Sequence, residues 1–372
     1  MYIPFSSVHE VLDQLHHGQP EQTTWLLMVA ECHAPEIPAL IEQAHMRQLS
    51  LCGAIFPALI SDARRVDEGI IAMPLPFDAL CSTATIDRDQ TLWHGTISPV
   101  SSRNESSALI LVDCQARGIS GFLSQIYNEY GNGISYAGAG TGFSDLRAQP
   151  SVFTESGFIE NGGLLVRFPH PSVTSVRHGW RRVAGPFIAT RTSGSVIQEL
   201  NWESAGAFYR QQIAELSPGL EDKPIFPTLN SLYPLSIGRP FAEDVMRDPI
   251  EINDADEIVT LSDVPENSMI YIETGDRESL IEGARQAVSE CEGAGHGSSP
   301  VSACFVSDCY SRALKLEDAL NDELQAAGEA LKAITAVPME GVLALGEVCG
   351  NERSTLEFYN KTFVISLLTT GK

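Results

Sequence analysis

The chain has 372 residues, 48 of them acidic and 24 basic, for a formal charge of −24; 43% are hydrophobic and 19% charged. That length supports two or three separate cores, and so acidic a chain is excluded as a nucleic-acid binder, whose phosphate partner demands a basic footprint. No run approaches the roughly 18 apolar residues of a membrane-spanning helix. Residues 1–18 hold neither Lys or Arg nor a long apolar centre, so neither membrane insertion nor a secretory leader is expected.

Residues 1–18 read instead as a short amphipathic helix, with Val8, Val11, Leu12 and Leu15 on one side. A recurring unit follows. Residues 24–33 form an apolar run of strand type, 35–49 a helix opened by Pro35, 51–56 a second strand, and 69–73 a strand beyond the polar turn 62–68. The unit returns with strand 108–114, helix 118–130 and the glycine-rich strand end 133–140. Strands 150–154 and 163–168 then flank the turn Glu160-Asn161-Gly162-Gly163, a hairpin signal. Next come a hairpin of 186–190 with 196–200, a helix over 204–216 and a crossover containing Pro218, Pro224, Pro227 and Pro234. There Phe226, Leu229, Leu232 and Tyr233 call for burial. A third, larger copy comprises strand 268–273, helix 277–291, strand 301–308, helix 316–334 and closing strands 341–347 and 358–368. Strands apolar on both faces must be covered on both. The expected fold class is therefore α+β, layered helix, sheet, sheet, helix from repeated β-α-β-hairpin units, with room for a ligand between the sheets. The chain divides near residue 201, giving domains 22–200 and 201–372.

Charge is unevenly spread. Residues 241–292 hold 15 acids against Arg247, Arg277 and Arg285, a net −12 that is half the total; a solvated acidic face or a dock for a basic partner would account for it. Residues 161–198, in contrast, hold no acid at all but carry Arg167, Arg177, Arg181, Arg182 and Arg191. At the centre of this island stands His178-Gly179-Trp180-Arg181-Arg182. Guanidinium groups offer paired donors to carboxylate or phosphate, and the indole supplies a flat apolar wall, so the island is a candidate anion site. The alternative is that its Arg residues pair with carboxylates elsewhere in the fold.

Eight cysteines, at 32, 52, 81, 114, 291, 304, 309 and 349, form no C-x-x-C and several fall in apolar runs, the usage of reduced, partly buried thiols in a cytoplasmic protein. No nucleophile elbow, P-loop, H-E-x-x-H or EF-hand loop is present, so no enzymatic activity is expected. Gly138, Gly140 and Gly142 fall one residue short of G-x-G-x-x-G and read as close backbone packing or pocket lining. Glu347 and Asn360, near strands, either orient a polar ligand or serve as core hydrogen-bonding groups.

A series of segments, in order over about 24–368, carries a family resemblance. They are 136–142 (YAGAGTG), Val152-Phe153-Thr154 with Asn161-Gly162-Gly163, 178–186 (HGWRRVAGP), 190–194 (TRTSG), 305–312 (FVSDCYSR), Gly346-Glu347 and 357–362 (EFYNKT). Together they resemble the FIST domain, a sensory module with N- and C-terminal parts, which domains 22–200 and 201–372 would represent. The resemblance implies a non-enzymatic, ligand-sensing protein of signal transduction. Within the family the chain is similar to the NosP-type haemoproteins that lack a fused output domain, bind haem, sense nitric oxide and regulate a partner histidine kinase.

A haem site needs an axial donor, an apolar slot and cations for the propionates. His178 is the first candidate for the iron, with Gly179 permitting close backbone approach, Trp180 lining the ring and Arg181 and Arg182 reaching the propionates. His170, held between Pro169 and Pro171, and His33 come next. His9, His16, His17, His45, His94 and His296 read as surface residues, His296 within the loop 293–299. No C-x-x-C-H exists for covalent haem. Cys309 and Arg312 occupy the family's Cys-x-x-Arg position. Arg312 would depress the thiol pKa and make Cys309 a redox or ligand contact, against the alternative of a buried structural thiol. Two other readings stay open: a binder of a small carboxylate such as an amino acid, held by Arg181, Arg182 or Arg191, and an interaction scaffold without a ligand.

Overall fold

The apolar runs form parallel strand pairs, each joined by a helical crossover. A computed structural model describes residues 1–16, 23–88, 90–95, 97, 106–240, 242–293, 300–351 and 354–370. His17 and His296 lie outside these. The chain is mixed α/β and divides into two compact units. The first comprises Met1–Arg177, Ala284–Glu357 and Lys361–Lys372, the second His178–Gly283 and Phe358–Asn360. The expected division at 200/201 is one of chain order; the compact units are interleaved along the chain. No helix among the described residues is long and apolar enough to cross a membrane.

The first unit holds three sheets. In the first sheet Thr24–Ala30 and Ser50–Phe56 run parallel, joined through helix Ile37–Met46. In the second, Ser107–Asp113 and Ser135–Thr141 are parallel through helix Ile119–Tyr130. In the third, Val301–Cys309 and Glu340–Ala344 are parallel through Tyr310–Leu316 and Leu320–Ile334. A glycine marks the same place in each pair. Gly53 stands opposite Leu27, Gly138 opposite Ile110 and Gly341 opposite Val306. A Cβ there would meet the neighbouring strand's carbonyl oxygen at 2.1, 1.9 and 2.0 Å, so no larger residue fits without moving the strand.

Alternation along the strands explains their unbroken hydrophobicity. Leu26 and Met28 point into a core shared with Cys52 and Ala54 of the first sheet, Leu109, Ala137 and Val166 of the second, and Phe305 and Val342 of the third. Trp25, Leu27 and Val29 point the other way, onto Val11, Leu12 and Leu15 of helix Val8–His16 and onto Ile37 and Leu40.

The expected hairpins close differently. After Ser50–Phe56 the chain moves to the third sheet, where Ala58–Ser61 pairs with Arg64–Val66 and with Glu340–Ala344. It then returns to the first sheet, where Ile70–Pro74 lies antiparallel to Thr24–Ala30. Val152–Thr154 pairs with Gly157–Ile159 in the first sheet, while Gly162–Phe168 joins the second. The turn at Asn161 (φ 46°) therefore passes the chain between sheets and closes no hairpin of 150–154 with 163–168.

The second unit is an eight-stranded sheet with helix Ala205–Leu216. Its longest strand, Arg181–Ser193, pairs with Met269–Thr274 through one half and Val196–Leu200 through the other, with register shifts in both ladders. The third β-α-β copy is therefore not one body, since its first expected strand lies in this sheet. Asp256 anchors the helix start, accepting from Ser204 Oγ (2.7 Å) and the Ala207 N–H (2.9 Å). In the proline-rich segment Leu229 is buried as expected, but Phe226 is 60% and Leu232 38% exposed and Tyr233 is half-buried.

Candidate functional site

His178 opens the second unit directly after strand Ser172–Arg177. The chain turns at Gly179 (φ 75°), where a Cβ would lie 2.3 Å from the Ser279 carbonyl oxygen. This turn swings the Trp180 N–H onto His178 Nδ1 at 2.8 Å. Glu243 Oε1 accepts the His178 backbone N–H at 2.7 Å and lies 3.4 Å from Nε2. Nδ1 is thus an acceptor and the ring proton sits on Nε2, facing a carboxylate. The imidazole is buried, and neither nitrogen keeps a lone pair for iron. The residues at His178 do not fit an axial haem ligand; the ring fixes a turn.

The neighbouring cations are also engaged. Arg182 makes a bidentate pair with Asp244, Nε–Oδ2 and Nη2–Oδ1 both 2.6 Å, and its guanidinium lies 3.8 Å over the Tyr271 ring. Arg181 faces Asp276 at 3.3 Å and is 65% exposed; Arg191 faces Glu199 at 2.9 Å. In the first unit Arg177 pairs with Glu290. Trp180 is buried against Gly275. The acid-free island is acid-free in sequence only. Beneath it, burial pushes the Glu273 carboxyl up to about 7, although it accepts from Ser236 Oγ at 2.6 Å.

Cys309 and Arg312 sit in the first unit, where Val301–Cys309 runs into helix Tyr310–Leu316. Of the two readings open for Cys309, its burial favours the structural thiol. Arg312 is fully buried and spends its charge on Glu323 Oε1, reached by Nε at 2.8 Å and also by Nη2, with Asp308 Oδ1 at 3.7 Å from Nε. Burial raises the Cys309 thiol far out of the reactive range, so it is not the activated cysteine that its Arg neighbour suggested. Burial, then Glu323, also holds the Asp308 carboxyl well above its ordinary range. Glu347 accepts from the Thr362 N–H (3.0 Å) and hydroxyl (2.7 Å), and burial pushes it up to about 8. Glu347 was named from sequence as a possible core hydrogen-bonding group; Asp308, Glu323 and the buried Lys361 were not. Glu323 lies eleven residues beyond Arg312, a separation without a local signal. Among the described residues no group of three His, Cys, Asp or Glu side chains is arranged to hold a metal ion.

The third candidate is a cavity of about 210 Å³ in the first unit, lined by Pro76, Phe168, His170, Ser302, Leu368, Thr369 and Thr370. Pro169 and Pro171 restrict the backbone on both sides of His170. The His170 carbonyl accepts from Ser107 Oγ at 2.9 Å, fixing the segment to the second sheet. Thr369 Oγ1 donates to the Pro171 carbonyl (2.8 Å) and Ser302 Oγ to the Leu368 carbonyl (3.2 Å). Among the described residues this leaves the His170 imidazole and the Thr370 hydroxyl as unspent polar groups on a mostly apolar wall without a charged side chain. An open groove of about 460 Å³ in the second unit is lined by Arg210, Asp222, Lys223 and Glu251 among others, but Arg210 is already paired with Asp256.

A FIST N domain model matches residues 24–203 and a FIST C domain model matches residues 205–350. This is a FIST domain protein. FIST domains are signal-transduction sensors that bind small ligands and signal to partners, typically without enzymatic activity. A comparison with curated proteins returns no match.

Proposed function

We propose that this FIST protein senses a small carboxylic acid with an apolar body, taken into the His170 cavity, and passes the signal to a partner protein. One observation carries the reading: His170, whose imidazole has no partner among the described residues, lines a largely apolar hollow without a charged side chain in its wall. The imidazole N–H and the Thr370 hydroxyl donate to the carboxylate, and Phe168, Leu368 and Pro76 cover the apolar body. A volume of about 210 Å³ suits a metabolite smaller than a drug-sized ligand. A free amino acid is a poorer guest, because the lining offers no carboxylate to its ammonium group.

Haem-based sensing of nitric oxide, the form implied by the NosP resemblance, has less support. His178 is spent on Trp180 and Glu243, and the His170 hollow is small for a porphyrin of about 40 heavy atoms. A histidine kinase remains the kind of partner that the resemblance implies. Eight free thiols accord with a cytoplasmic setting.

Thermal unfolding against a panel of short aliphatic and aromatic acids, their amides and free amino acids tests the proposal. A guest at 100 times its Kd adds about 2.7 kcal/mol, and His170→Ala should abolish that shift. A panel that leaves the midpoint unmoved, or a shift that survives His170→Ala, would overturn the site. A Soret band on addition of haemin, altered by His170→Ala, would turn the reading to haem.

A further inference from the structure

Two cysteines that contribute nothing to the ligand reading lie together in the first unit. Cys52 is on strand Ser50–Phe56 of the first sheet, where it pairs across with Thr154 and Leu26. Cys81 is on strand Leu80–Asp87 of the second sheet, opposite Val166. Cys52 and Val166 belong to the same core, so the inner faces of the two sheets meet here. Their thiols lie within interaction range of each other. Cys52 is buried at the seam; Cys81 is exposed at its edge.

From this juxtaposition we infer that Cys81 and Cys52 form a peroxide-reactive dithiol, an exposed attacking sulfur backed by a buried resolving one, that closes to an inter-sheet disulfide. The interaction between them lowers the Cys81 thiol pKa while raising that of Cys52. Cys32 provides an internal contrast: it is also exposed, but burial and Glu68 raise its pKa.

The chemistry takes a hydroperoxide as oxidant. The Cys81 thiolate attacks the terminal peroxide oxygen; an S–O bond forms, the O–O bond breaks and the alcohol departs with a proton. Cys52 then attacks the resulting sulfenic sulfur, forming the S–S bond as the S–O bond breaks. Its thiol proton leaves with the hydroxide as water. Both sulfurs are oxidised by one electron each, and the peroxide is reduced to one alcohol and one water.

The test uses the reduced full-length protein, treated with equimolar hydrogen peroxide, alkylated and digested with trypsin without reductant. Cleavage after Arg47, Arg64, Arg65 and Arg88 places Cys52 in peptide 48–64 and Cys81 in peptide 66–88. Mass spectrometry should find these two peptides joined. In the untreated protein, Cys81 should alkylate on the order of tenfold faster than Cys32. Cys52→Ser should leave Cys81 as a sulfenic acid trapped by dimedone, and Cys81→Ser should leave Cys52 unmodified. Oxidation without the joined peptide in the unsubstituted protein, or Cys32 oxidised as readily as Cys81, would overturn the proposal without bearing on the His170 cavity.

Discussion

Arg312→Met is the most informative single change in the first unit. It removes the cation that faces Glu323 and Asp308 and keeps an apolar side chain in a fully buried place. Glu323 Oε1 loses the Nε donor at 2.8 Å and the Nη2 donor, and the Lys361 carbonyl loses Nη1 at 3.4 Å. Removing one partner of a buried ion pair costs about 3–5 kcal/mol, within which each orphaned acceptor accounts for about 1–3. Replacing both partners in Arg312→Met with Glu323→Leu should recover about 1–3 kcal/mol, because no buried carboxylate is left uncompensated at position 323. Acid should also rescue the single variant. Burial raises the Glu323 carboxyl, so it takes a proton before an ordinary glutamate does and then needs no cation. Urea unfolding followed by circular dichroism at neutral and mildly acid pH measures all three effects. A single variant within about 1 kcal/mol of the parent protein would refute the reasoning, since no compensated buried charge would then be present.

Glu347 and Glu273 set a pH slope. Their folded values, pushed up to about 8 and about 7, lie above the ordinary 4.5, so the folded state holds more protons between those limits. Stability is therefore greatest at low pH in this window and falls as pH rises, by at most about 1.4 kcal/mol per pH unit for each carboxyl. Glu347→Gln should flatten the slope up to about 8, and Glu273→Gln up to about 7; a urea profile superimposable on that of the parent protein would contradict the assignment. Gly138→Ala, placing a Cβ 1.9 Å from the Ile110 carbonyl oxygen, should cost about 3 kcal/mol or more in thermal unfolding. Gly121→Ala, in helix Ile119–Tyr130 with nothing within 4 Å, should stabilise by about 0.5–1 kcal/mol; the reverse order would refute the packing argument. His178→Ala should cost about 1–3 kcal/mol through the orphaned Trp180 N–H and leave haemin titration unchanged, whereas loss of a haem spectrum would restore His178 as an iron ligand.

The strands themselves were legible because those covered on both faces read as unbroken apolar runs, as in 24–30 and 107–113. Strand destinations were not. Nothing local tells that Ala58–Ser61 pairs with Glu340–Ala344 about 280 residues away in chain order, or that Asn161 passes the chain to another sheet. The same limit governs the sites. His178, Arg181 and Arg182 were found as a cluster, but their roles are decided by Glu243, Asp276 and Asp244, more than 60 residues further on. Cys309 beside Arg312 suggested an activated thiol, because two of the acids that claim the guanidinium's charge, Glu323 and Asp308, act through burial that local sequence does not display. His170 was legible as a rigidly held imidazole between two prolines, though not as a cavity wall.

In a chain where carboxylates outnumber cations two to one, an exposed Arg has an acid at hand, and each such pair is worth at most about 1 kcal/mol. Clustered Arg residues therefore say little about an anionic guest, whereas an uncharged lining is the more specific feature. A carboxylate entering the His170 cavity meets no competing acid in the wall, and the N–H and O–H donors there strengthen as water leaves. The approach is another matter: a net charge of −24 repels an anion at long range, and salt screens that repulsion over about 10 Å at 0.1 M. Binding of the acid should therefore tighten between low and physiological salt, while the matching neutral amide should show little change. Isothermal titration of both at the two salt concentrations measures the difference. Equal responses of acid and amide would remove the carboxylate's charge from the recognition and leave the apolar wall as its source.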